Sequence, residues 1–142
     1  MSDLLFRNSG TSGLYHFPRH RQATIAKAAD RQHLRLLLAE ILPPADKATV
    51  LAQIGKALAF PDWYGANFDA LFDCLTDTDW QVTKGHVIVI NGLGELRNTH
   101  PEDFSTLLEV LRDAADHHRQ AGAPFWILID TPARGVPALP EA

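Results

Sequence analysis

The sequence predicts a small α/β domain: a mainly parallel sheet of three to four strands covered by helices. Three observations carry that expectation. Two runs, HVIVI at 86–90 and FWILI at 125–129, are apolar at every position, as a strand buried on both faces would be. Between them lies a long helical pattern, with Phe104, Leu107, Leu108, Leu111, Ala115 and His118 on one stripe. Strand and helix signals also alternate along the chain, the order that builds parallel sheets with crossover helices.

Taken in order, residues 1–12 read as a flexible leader, 13–130 as a single domain and 131–142 as a proline-rich tail without regular structure. Gly13 to Phe17 reads as a short strand. Residues 22–31, QATIAKAADR, are alanine-rich and read as a helix. Leu34 to Leu38 reads as a strand, although its leucines would serve a helix equally well. Pro43 and Pro44 break the chain, and Asp46 is placed to cap the next helix. There Val50, Leu51, Ile54, Ala57 and Leu58 fall on one face, and Pro61 ends the pattern.

A second helix starts at Asn67, a good N-cap type. Phe68, Leu71, Phe72 and Leu75 should face the core, which turns Asp69, Asp73 and Asp77 to the opposite side. Pro101 opens the long helix and Gly122 stops it.

The 142 residues fit one domain, and 46% hydrophobic content is too much for a disordered chain. A net charge of −4 lacks the basic footprint of a general nucleic-acid binder, so no direct contact with nucleic acid is expected. The lone cysteine, Cys74, cannot close an internal disulfide, which favours a reducing cytosol and a cytoplasmic protein. No secretory signal is visible, and no run approaches the ~20 apolar residues that span a bilayer, so no membrane role is expected.

The acidic helix has two readings. It is a solvated face, with Asp69 favourable to the helix dipole, or it is a surface kept for a partner. Like charges four apart cost an isolated helix about 0.2–0.5 kcal/mol per pair. Asp77 sits near the helix C-terminus, where the dipole disfavours an anion. Function explains why such an arrangement is retained. Trp63 and Tyr64 precede it in a turn marked by Pro61 and Gly65, where burial of both rings is not expected. An exposed aromatic beside carboxylates suits a protein interface.

The stretch WYGANFDALFDCLTD resembles the signature of the barstar family, small intracellular inhibitors of ribonucleases. The match runs through Trp63, Tyr64, Gly65, Asn67, Phe68, Asp69, Ala70, Leu71, Phe72, Asp73, Cys74, Leu75 and Thr76. The order of elements extends the likeness over about Leu34 to Ile129. The resemblance implies a barstar-like fold and a loop and helix that enter a cationic ribonuclease active site. Carboxylates would stand where phosphates sit, and rings would cover the base-binding region.

Residue by residue, it implies that Asp73 is the central carboxylate and Asp69 a second contact. Trp63 and Tyr64 would be the aromatic pair, and Phe72 stands where the family's namesake has tryptophan. Asp113, in LRDA, would match a contact glutamate. Gly65, Asn67 and Asp77 complete the expected partner-binding set. The first ~33 residues, an expected extra strand and helix, and the loop DTDWQVTKG, which holds Trp80, depart from the shortest members. The implied partner is a basic ribonuclease or ribonuclease toxin, met by a free-state monomer. A basic partner that is not a nuclease is the alternative, and an enzyme using the acidic helix a third reading.

Other signals are weaker. NGLGEL at 91–96 lacks the third glycine of a dinucleotide fingerprint and any Gly-Lys-Ser/Thr, so it reads as a turn, with Glu95 at most a peripheral contact. The seven histidines show no zinc spacing, since Pro18 separates His16 from His20, and His117 and His118 face different ways. His118 and Cys74 read as packed residues. No cofactor, metal or catalytic residue is expected.

Overall fold

The computed structural model describes residues 2–77 and 85–140. The elements are α1 (Ser2–Arg7), β1 (Gly13–His16), α2 (Gln22–Arg31), β2 (Arg35–Glu40), α3 (Lys47–Ala57), α4 (Phe68–Thr76), β3 (His86–Asn91), α5 (Gly94–Thr99), α6 (Pro101–Gln120) and β4 (Phe125–Ile129). The strands form one parallel sheet in the order β1-β4-β3-β2. The expected small α/β domain with a parallel sheet is therefore present, with four strands.

The two apolar runs are the inner strands, buried at every residue. Alternate side chains of each run serve opposite faces. Ile88, Ile90, Ile127 and Ile129 enter one core with α3, α4 and α6. Val87, Val89, Trp126 and Leu128 enter a second core with α1 and α2. Continuous hydrophobicity was the signal because neither face meets water.

α3 begins with a reciprocal cap. The Thr49 N–H donates to Asp46 Oδ1 at 2.9 Å, and the Asp46 N–H donates to Thr49 Oγ1 at 3.1 Å. The Thr49 bonds, its backbone bond first, hold the Asp46 carboxyl below its usual pKa.

Three segments are better fastened than the sequence suggests. The leader is not loose: residues 2–7 form α1, Leu5 and Phe6 are buried, and the Phe6 ring meets Trp126 edge-on at 5.0 Å. Two adjacent apolar residues suffice here because the outer core face needs a lid. The tail, though without helix or strand, is fastened: Val136 and Leu139 are buried, and the Leu139 N–H donates to the His16 carbonyl at 2.8 Å. NGLGEL is more than a turn, since its second half starts α5, where Glu95 accepts from the Ala45 N–H at 3.0 Å. Trp80 lies outside the described residues.

A candidate partner-binding groove

α4 is set by its cap and its apolar face. Asn67 Oδ1 accepts from the Ala70 N–H at 2.8 Å, so this side chain serves the helix. Leu71, Cys74 and Leu75 are buried, while Asp69 and Asp73 are exposed one turn apart. α4 packs against α6, which brings Val110 and Asp113 alongside.

The result is a shallow groove of about 500 Å³ lined by Phe68, Phe72 and Val110 with Asp69, Asp73 and Asp113. Among the described residues, none forms a salt bridge with these three aspartates. Lys47 borders the groove, its Nζ 5.0 Å from the centre of the Phe68 ring. His117 meets Phe72 edge-on at 6.3 Å. Three carboxylates around an apolar floor can take the aliphatic stem and charged head of a basic side chain.

The loop before α4 divides its aromatics. Trp63 is 54% exposed. Tyr64 is half-buried, donates its hydroxyl to the Leu51 carbonyl at 2.7 Å and has its pKa raised by burial. Gly65 is exposed, and the next residue, Ala66, adopts φ 52°. Asp77 departs from the expected ridge. α4 ends at Thr76, leaving Asp77 as an extended C-cap, half-buried and away from the groove lining. Its charge, with that of Asp73, adds to the burial that pushes the Cys74 thiol up to about 11.

Val110 was missed. Its signal was an apolar residue off the α6 core stripe and three positions before Asp113, hence on the same helix face. Among the described residues, no cluster of histidine, cysteine and carboxylate side chains is arranged to hold a metal ion. No described helix is long and apolar enough to cross a membrane.

The fold is thus a parallel sheet with an acidic, partly aromatic groove on one helical face. The chain belongs to the barstar family: the family model described as barstar (barnase inhibitor) matches residues 21–130. No curated protein matches it. Two solved structures of the Aeropyrum pernix ORC2 protein are similar in fold. The ADPNP–ADP complexes give a TM-score of 0.57 at 16% identity, covering 93% of this chain and 36% of that one. The ADP form gives 0.54 at 18% identity, covering 94% and 37%. This chain thus spans little more than a third of their length, and the likeness concerns the fold alone.

Proposed function

We propose that this chain is a proteinaceous ribonuclease inhibitor, not an enzyme, that closes a cationic active site with α4 and the loop before it. One observation carries the reading: Asp69, Asp73 and Asp113 converge from two helices on a shared apolar floor, and among the described residues no cation is paired to them. A ribonuclease cleft holds lysine, arginine and histidine for phosphate. Carboxylates on a rigid scaffold meet the same groups, and opposite charge speeds the encounter. Trp63 supplies an exposed ring on the loop before α4. Tyr64, Gly65 and Asn67 hold the loop and helix in shape, and Phe72 forms floor.

Titrating the purified chain into RNA cleavage by basic ribonucleases, barnase and any encoded beside this chain, tests the proposal. Inhibition that saturates near one inhibitor per enzyme is expected. Full cleavage at equimolar or higher inhibitor, with every enzyme tried, would reject it and leave a binding module for a basic partner that is not a nuclease.

A further inference from the structure

We infer that Gly55 is a positioning residue for the partner-binding loop: the bare backbone of α3 at Gly55 is a socket that holds Tyr64 inward and thereby presents Trp63 outward. The inference rests on the proposed role of that loop, but its geometry stands apart from any partner.

Gly55 lies inside α3, buried, where glycine costs a helix about 1 kcal/mol relative to alanine. The reason for a glycine is its neighbour. An added Cβ would stand 2.6 Å from Tyr64 Cδ2 and nearer still to Cε2. The ring therefore occupies the space that any other side chain would take. It is fixed from several sides. Its hydroxyl donates to the carbonyl of Leu51, one turn before Gly55, at 2.7 Å. Its edge packs on Phe60 at 4.9 Å between centroids. The Phe60 N–H donates to the Gly55 carbonyl at 2.9 Å, and the Tyr64 N–H to the Pro61 carbonyl at 3.0 Å.

Residues 60–64 thus form a closed turn docked on α3. With Tyr64 seated, the preceding side chain points away, and Trp63 is the exposed ring of the pair. A loop held in its binding shape before contact spares the ordering entropy otherwise lost on association. Gly55 touches neither the groove nor, in the proposed complex, the partner. Its effect runs through Tyr64 and Trp63.

The test uses Gly55→Ala and Tyr64→Phe in the full chain, with two readouts. The first needs no partner: amide hydrogen exchange across residues 60–66, and the fluorine resonance of 5-fluorotryptophan at Trp63, assigned by its loss in Trp63→Phe. Gly55→Ala should speed exchange in that loop by about tenfold or more while the amides of β3 and β4 stay protected. It should also shift the Trp63 resonance. Should Gly55→Ala fail to fold, Tyr64→Phe keeps the ring and loses the hydroxyl bond, and should move both signals the same way by less. An unchanged loop in the folded variant would overturn the inference.

The second readout is affinity for a ribonuclease that the wild-type chain inhibits. Gly55→Ala should weaken it about tenfold, and should have no further effect in a Trp63→Ala background. Equal losses in both backgrounds would overturn the route through Trp63. If the first readout succeeds and wild type inhibits no ribonuclease, the socket stands and the functional proposal fails instead.

Discussion

His118 Nε2 lies 2.8 Å from the Leu75 carbonyl oxygen, so a side chain of α6 satisfies a carbonyl in the last turn of α4. The same ring stacks on Phe125 of β4, 4.1 Å between centroids. The helix that carries Asp69 and Asp73 is thus tied to both its neighbouring helix and the sheet. The groove inherits the rigidity of the core behind it.

Acid should loosen that join. Burial lowers the pKa of His118, with the Leu75 bond opposing and His117 adding to the shift. Burial pushes His86 down to about 4, helped by the charges of Arg35 and His118. Both therefore bind fewer protons folded than unfolded. Stability is full above pH ~6.5, declines as pH falls, and has lost the His86 share near pH 4. Urea unfolding at pH 7 and pH 4.5 should differ by on the order of 2 kcal/mol, and His86→Gln should flatten the profile. A profile of equal slope in that variant would contradict the assignment. Asp46, whose folded pKa is lowered from 3.8, loses its contribution at lower pH and leaves this window clear.

Asp73→Ala and Asp113→Ala should each weaken partner binding, the first by about 2 kcal/mol or more. Both residues are exposed and form no ion pair among the described residues, so melting temperature should barely change. Added salt should slow association of the wild type with its partner, because steering acts through screened charge. Calorimetry and stopped-flow mixing read these effects. Unaltered affinity in Asp73→Ala would remove α4 from the interface.

The two glycines of NGLGEL should answer differently to alanine. Gly92 has φ 93°, and an added Cβ would lie 2.5 Å from the Ile41 carbonyl oxygen. Its N–H also donates to the Asp130 carboxylate at 3.1 Å. Gly92→Ala should cost about 1–3 kcal/mol, from left-handed strain and the forced shift of Ile41. Around Gly94 no described atom beyond its chain neighbours and its own helix backbone lies within 4 Å of an added Cβ, and Gly94→Ala should be close to neutral. Thermal unfolding of the pair checks the contrast.

Cys74 should be chemically silent in the folded protein. It is fully buried, and its thiol is pushed up to about 11, so thiolate is scarce at pH 8. A colorimetric disulfide reagent should modify it only in denaturant. Rapid reaction of the folded chain would show that α4 opens far more readily than its packing implies.

The inner strands were legible because burial on both faces leaves an uninterrupted apolar run, as in Val87 to Ile90 and Phe125 to Ile129. The α4 ridge was legible because its apolar face repeats with helical spacing. Leu5, Phe6, Val136 and Leu139 were not, since each sits in a segment too short to show a period, and only the finished core reveals what they cover. Asp77 was misplaced by continuing the helical rotation one residue past Thr76. Asp113 was reached through family likeness; nothing local to α6 announces that it will stand beside Asp73, because that depends on how two helices pack.

β1 lies between β4 and the tail: Gly13 to His16 pair with Trp126 to Ile129 on one side, while His16 exchanges bonds with Pro137 and Leu139 on the other. Both sheet neighbours of β1 are therefore made after α6. During translation, a nascent chain that has reached Gln120 holds β1, β2 and β3 but no strand for β1 to pair with. Sheet closure waits until residues 125–139 clear the ribosome. Stopping synthesis after α6 would leave an orphaned strand instead of a smaller domain.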